Sequence, residues 1–515
     1  MISQLKVRVC SMKKLITLVL ALSLVMSLSV LSGCGKSSEY DNRGTIGSLE
    51  ALFDGEFLDQ SGESYAAIEE FPFISTDDNV KTFFTLDSNT GSYSNLRRYI
   101  GNGQQLNSDI IKTDELINYF HYQFEDPAVG ETFRITPDLM VCPWNSEHHL
   151  VTIGVSSKKI QLDDQTPNNL VFLIDVSGSM FSENKLDLIK QSFPLMLDGL
   201  NSTDRISIVT YASGVQVALE ATLVSERQTI INAINALQAG GSTSGAAGID
   251  RAYQIASSNF IEGGNNRIIL ATDGDFNVGP SSPSALKELV ASKRVLGIYL
   301  SVLGFGMGNY QDTMVETLAM NGNGNYAYID SLVEANKVLK EELSTTLLSI
   351  AKDVKVQVEF NPAVVEEFRV IGYENKQLSE EEFNDETKDA SEVGSGHTTV
   401  VTYEIKLKTT LPNDDTPILT IIMNYKDPKT DKSESLTQIF TANQVVSIEE
   451  KSEDFLFVAC LVEFSLILRN SEYKQDANIH QVLSRLEVLE SVLSDPYRAE
   501  LVTLIHKVIT DELIS

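Results

Sequence analysis

The chain has 515 residues, 42% of them apolar, with 40 basic against 71 acidic side chains and four cysteines. That length predicts about three domains, and the apolar share excludes global disorder and collagen-like or low-complexity architecture. A formal charge of −31 repels phosphate backbones and argues against nucleic acid as a partner, while four cysteines without a Cys-x-x-Cys pair offer neither a zinc ribbon nor a disulfide framework.

Lys6, Arg8, Lys13 and Lys14 precede an uncharged apolar run from Leu15 to Leu31, short for a membrane-spanning helix and of the length of a signal-peptide core. The run stops at Leu31-Ser32-Gly33-Cys34, which resembles a bacterial lipobox. The expectation is a lipoprotein signal peptide over 1–34, with Cys34 as the lipidated residue. That resemblance implies a lipid-anchored protein on the extracytoplasmic face of a bacterial cell membrane or envelope. Residues 35–80, rich in Ser, Gly, Asp and Glu, read as a flexible polar tether with a root-mean-square span of roughly 35–40 Å.

An N-terminal helix and strand region is predicted over 81–160. Tyr93, Leu96, Tyr99 and Ile100, then Leu116, Ile117, Tyr119 and Phe120, have helical spacing and predict two amphipathic helices. Alternation between Phe133 and Ser157 predicts two strands around the loop CPWNSEHH. From Asn169 the pattern changes. Leu170-Val171-Phe172-Leu173-Ile174 is continuously apolar, as a strand buried on both faces of a parallel sheet should be. Strand-like and helical segments then alternate through residue 348, which predicts a doubly wound, Rossmann-like α/β domain over 165–348. Strand-like VKVQVEF, TTVVTYEIKL and PILTIIMNY make 350–450 β-rich, and 452–515 returns to helical spacing. The flanking strands are expected to pair into one antiparallel body, with the α/β domain inserted between them.

In doubly wound sheets the site lies beyond the carboxyl ends of the strands. Asp175, Ser177 and Ser179 follow the first strand of the α/β region, Thr243 sits in the loop before a later helix, and Asp273 ends another strand. Alternate residues of an extended segment point the same way, so Asp-x-Ser-x-Ser delivers one carboxylate and two hydroxyls to one spot. Oxygen donors without sulfur or imidazole suit a hard cation, Mg²⁺ before Ca²⁺ or Mn²⁺. Neutral hydroxyls leave much of its charge uncancelled and free to attract a carboxylate.

With GGSTS and ATDGD following in order, these residues resemble the von Willebrand factor A (VWA) domain and its metal-ion-dependent adhesion site. The resemblance implies that Ser177, Ser179 and Thr243 coordinate the metal directly, and that Asp175 and Asp273 act directly or through water. Ser242 stands as an alternative donor to Thr243. Asp275 and Asn277 read either as groups bonded to the ligands or as a polar turn. The phrases DSNTGSYSNLRRYI, DELINYFHYQF, CPWN, IGYENKQL and DPYRAEL resemble a bacterial family of VWA lipoproteins with its own N-terminal and C-terminal regions.

Other candidates read as structural. His148 and His149 are adjacent and so diverge, which makes a polar loop the simpler reading. The acid-rich stretch 374–392 lacks the order of a calcium loop. Gly304-Phe305-Gly306-Met307-Gly308 lacks the dinucleotide spacing and reads as a turn on the site edge. Cys142 and Cys460 read as buried free thiols or as a pair. Two functions follow. The first is a surface-tethered lipoprotein whose cation captures a protein ligand presenting Asp or Glu, without catalysis; the alternative is an extracytoplasmic hydrolase in which the same ion activates water, with Asp275 as base. Hydroxyl-rich ligation and the lack of a second acid cluster favour the first.

Overall fold

The computed structural model describes residues 56–58, 63–86, 89–160, 167–242, 245–274, 283–294, 296–307, 310–388, 390–412 and 414–514. The signal peptide with Cys34, and Thr243, Asp275 and Asn277 of the site, lie outside the described residues.

Strands β1 (Glu56–Leu58) and β2 (Ser64–Ala66) pair antiparallel, and β3 (Ile74–Ser75) and β4 (Lys81–Thr85) follow. Much of the stretch read as a tether is therefore built into the fold. Glu63 and Tyr65 are buried, and both guanidinium ends of Arg98 donate to Glu63, at 2.8 and 2.7 Å. The polar composition misleads because its polar groups find partners far away in the chain. The two helices are Gly91–Gly101 and Thr113–Asn118. Strands β5 (Phe133–Cys142) and β6 (Asn145–Ser157) are joined by only Pro143 and Trp144. His148 and His149 thus lie in a strand rather than a polar loop. His148 Nδ1 is 2.8 Å from Glu404 Oε1, and His149 projects to the other side.

The α/β domain contains β7 (Asn168–Asp175), β8 (Arg205–Tyr211), β9 (Val215–Leu223), β10 (Asn265–Thr272), β11 (Tyr299–Phe305) and β12 (Tyr326–Ile329). Their order is β12-β11-β10-β7-β8-β9, parallel except for the edge strand β9. Period-2 alternation divides β7 between two cores. Leu170, Phe172 and Ile174 pack with Phe193, Ile230 and Leu339. Val171 and Leu173 pack with Ile249, Val290 and Leu318. Helices thus cover both faces, which is why β7 reads as continuously apolar. After β12 the chain forms three short helical segments, Leu332–Asn336, Lys337–Glu341 and Leu343–Leu347.

Beyond it run β13 (Ser349–Phe360), β14 (Val365–Ile371), β15 (Ser391–Gly394), β16 (Thr398–Leu407), β17 (Pro417–Lys426) and β18 (Ser433–Thr441). One sheet runs β15-β13-β17-β18, with β4 also on β13; the other runs β3-β14-β16-β6-β5. β6 pairs antiparallel with β16, from Thr398 opposite Ser156 to Lys406 opposite His148. Strands from before and after the α/β domain therefore share one sandwich, whose sheets meet at Phe360 on Phe368 (ring centroids 4.3 Å apart) and Phe133 on Tyr425 (4.9 Å).

The helices Glu453–Leu468, Ile479–Leu486 and Pro496–Thr510 pack with the N-terminal helices in a further core, where Phe457 meets Phe120. Cys142 and Cys460 are free, buried thiols. Among the described residues no helix is long and apolar enough to cross a membrane.

Buried ion pairs join these parts. Lys112 Nζ lies 2.8 Å from Asp312, 2.7 Å from Glu316 and 3.4 Å from Glu115. Arg97 bridges Asp330, Glu334 and Glu500, tying the helix Gly91–Gly101 to the α/β domain and to the last helix. In the acid-rich stretch, Ser379 caps the helix Glu380–Asn384. Burial pushes Glu374 up to about 7, against the pull of Arg469. A carboxyl raised in the folded state favours folding at low pH, and that contribution is lost as pH rises from the unfolded value near 4.5 through 7. Glu374→Gln, which has no proton to lose, should therefore gain on the parent by about 1–3 kcal/mol between pH 5 and pH 8. Urea unfolding of both proteins at the two pH values measures it; an equal difference at both contradicts the shift.

Candidate functional site

β7 ends at Asp175 and β10 at Thr272 with Asp273 next, and the two strands are neighbours in register, Ala271 opposite Ile174. Both carboxylates are therefore delivered to the same sheet edge, and both are fully buried. Asp175 Oδ1 accepts from the Ser177 backbone N–H at 2.8 Å, which turns the chain so that the two hydroxyls converge. Ser177 Oγ and Ser179 Oγ are 2.9 Å apart. Asp175 is raised to about 6 by burial and then by the charge of Asp273. Two acids are thus held together where neither is well solvated.

Backbone bonds seat the 240–242 loop against this turn: Gly178 N–H donates to Gly241 O at 2.9 Å, and Gly240 N–H to Val176 O at 2.8 Å. Gly241 has φ +87°, and a Cβ there would sit 2.5 Å from Ser213 Oγ, so only glycine fits. Ser242 is turned aside: its N–H donates to Ser213 Oγ at 3.0 Å, and the two hydroxyls are 3.3 Å apart. The structure thus brings together Asp175, Ser177, Ser179 and Asp273, and leaves Ser242 bonded to Ser213.

Two residues escaped the sequence reading. Thr272 Oγ1 donates to Asp175 Oδ2 at 3.2 Å and accepts from Gly274 N–H at 3.0 Å, bracing the two strand ends. Lys185 Nζ reaches Asp273 Oδ2 at 2.9 Å, and both side chains are buried. Lys185 turns inward because its backbone leaves helical geometry (φ −121°, ψ −106°) at the start of the following helix. Its stem lies against Gly306, where a Cβ would meet Lys185 Cε at 2.1 Å. Gly306, in the glycine-rich turn after β11, thus makes room for the lysine. Nothing in SENKLDLIK separates this lysine from a surface one.

Among the described residues no three His, Cys, Asp or Glu side chains converge as metal ligands. The cluster holds two carboxylates with two hydroxyls, a hard, all-oxygen set. Paired buried acids and adjoining hydroxyls fit a small divalent cation.

A doubly wound sheet with oxygen donors at the carboxyl ends of its middle strands, carried on a split β sandwich, defines a VWA-domain protein. Family profiles agree: "von Willebrand factor type A domain" matches residues 169–342, "von Willebrand factor" 59–152, and "Uncharacterized protein YfbK, C-terminal" 345–510. The chain belongs to the YfbK family. It is 37% identical over 463 residues to the Uncharacterized protein YfbK of Escherichia coli (strain K12), covering 86% of this chain and 80% of that one. It is also 28% identical over 209 residues to inter-alpha-trypsin inhibitor heavy chain H3 of Mesocricetus auratus, 38% of this chain and 22% of the other. Among solved structures, von Willebrand factor type A from Catenulispora acidiphila is 13% identical, covers 68% of this chain and 81% of its own, and has a TM-score of 0.41. The ArnB paralog VWA2 from Sulfolobus acidocaldarius is 16% identical over 75% of this chain and 98% of its own, at a TM-score of 0.37. VWA domains typically bind a divalent metal, and their proteins generally mediate metal-dependent protein interaction.

Proposed function

We propose that this protein is a lipid-anchored, extracytoplasmic binding protein that captures a carboxylate of a protein ligand through a divalent cation, and that it is not an enzyme. The observation carrying this reading is the convergence of Asp175, Ser177, Ser179 and Asp273 at one buried strand edge. These residues, with Thr243, would hold Mg²⁺. An ion held largely by neutral hydroxyls keeps enough charge to accept an Asp or Glu side chain. The acidic surface does not oppose such capture at contact, since charges are screened within about 8 Å at physiological salt. Cys34 would carry the lipid, placing the protein on the outer face of a bacterial cell membrane.

Calorimetric titration of the purified chain with Mg²⁺ tests the site, and capture of envelope proteins with Mg²⁺ or with chelator tests its use. We expect one bound ion, at least tenfold weaker binding in Ser177→Ala, and capture lost in chelator and in the variant. Captured proteins that are the same in all conditions would defeat the metal-bridged reading.

A further inference from the structure

Away from the strand edge, a cavity of about 720 Å³ opens between the end of β5, the 445–451 segment and the C-terminal helices. That volume is within the ~300–1,000 Å³ of small-molecule sites. Its walls are almost wholly apolar, with Leu139, Leu456 and Ala459 among them, and both free thiols, Cys142 and Cys460, line it. Its surroundings stay apolar out to solvent: Ile448 and Val488, also lining residues, are 50% and 74% exposed. Such a surface is costly to leave in water.

Three polar side chains break the apolar lining, and their chemistry selects the occupant. Lys451 and Arg485 line the cavity, while among its described lining residues there is no carboxylate, in a chain with 71 acids. Their counter-charges come from Asp138 and Glu463 outside the lining. His149 lines it too, on the side of β6 opposite the Glu404-bound His148, and its Nδ1 is buried without a hydrogen-bond partner. A buried polar atom without a hydrogen-bond partner gains one if the ring, itself part of the cavity lining, turns Nδ1 toward an acceptor held there.

We propose that this cavity binds a free long-chain fatty acid, with the hydrocarbon chain in the apolar volume and the carboxylate between Arg485 and His149. His149, as its Nδ1–H tautomer, donates to one carboxylate oxygen. This site is independent of the cation reading and of Cys34.

The test is fluorescence titration of the full chain with cis-parinaric acid, followed by displacement with saturated fatty acids of increasing length, with hexadecane and with phosphatidylglycerol vesicles. We expect saturable binding of one probe per chain. Each two methylenes added to the competitor should tighten binding about tenfold until the cavity is full. His149→Leu should weaken fatty-acid binding about tenfold and leave displacement by hexadecane unchanged. Val488→Glu, on an exposed position that puts an acid beside the cavity, should weaken it at least as much without disturbing the fold. Absence of saturable binding, equal displacement by vesicles, or unchanged affinity in both variants overturns the proposal.

Discussion

Lys112→Met is expected to cost the folded protein about 3–5 kcal/mol, the usual result of removing one partner from a buried ion pair. The ammonium sits among Asp312, Glu316 and Glu115, each under a tenth exposed. Burial raises Glu115 to about 8, with Lys112 opposing that rise. The other two carboxylates are further satisfied by neutral donors: Tyr326 O–H donates to Asp312 Oδ1 at 2.6 Å, and Asn375 Nδ2 to Glu316 Oε1 at 3.0 Å. Those bonds remain after the substitution, but the charge has no counter-ion from Lys112 and cannot reach water. Methionine keeps the stem's packing, so the loss isolates charge. Adding Glu316→Gln should recover part of it, giving a double variant less destabilised than the sum of the singles. Urea unfolding measures all three. A single-variant cost below about 1 kcal/mol would mean that water already solvates the cluster.

Lys185→Met should raise affinity for Mg²⁺ by tenfold or more while lowering stability without metal. The ammonium lies 2.9 Å from Asp273 Oδ2, so any cation held by the same acids meets a like charge at short range, where the interaction is worth several kcal/mol even at an effective dielectric near 20. Without metal the lysine neutralises one of two neighbouring buried carboxylates. Removing it leaves Asp175 and Asp273 facing each other. The melting temperature should therefore fall in chelator and be recovered by Mg²⁺ more strongly than in the parent, with the gain growing as the ion saturates the site. Lys185→Arg keeps the charge and should show no gain in affinity. Calorimetry with thermal melts reads both effects. Equal or weaker Mg²⁺ binding in Lys185→Met would remove the lysine from the site's electrostatics.

The α/β domain was legible because its strands are buried on both faces and end in recognisable oxygen donors. Strand-like runs placed β16 and β17, and the helical spacing over 452–515 placed the C-terminal helices. What remained hidden depends on partners remote in sequence. Ser92, Asn95, Arg97 and Arg98 give the helix Gly91–Gly101 a polar side that suggests solvent, yet all four are buried. Arg97 is satisfied by Asp330, Glu334 and Glu500, and Arg98 by Glu63. The polar stretch before residue 80 misled for the same reason. Lys185 and Thr272 were missed because their roles arise only when two strand ends and a distorted turn meet. Period and composition register one residue's surroundings along the chain, and these contacts run across it.

The pairing of β6 with β16 also governs how the chain can fold. Ser156 meets Thr398 only after the whole intervening α/β domain and three further strands have been made. The α/β domain, built from neighbouring strand–helix units, has short loops to close and can form early. The sandwich must close a loop of well over two hundred residues, and pairing at such sequence separation is slow. During synthesis β5 and β6 therefore wait as an unpaired hairpin edge, open to mispairing with another chain. A chain cut short before β16 would keep a folded α/β domain and lose the body that carries it.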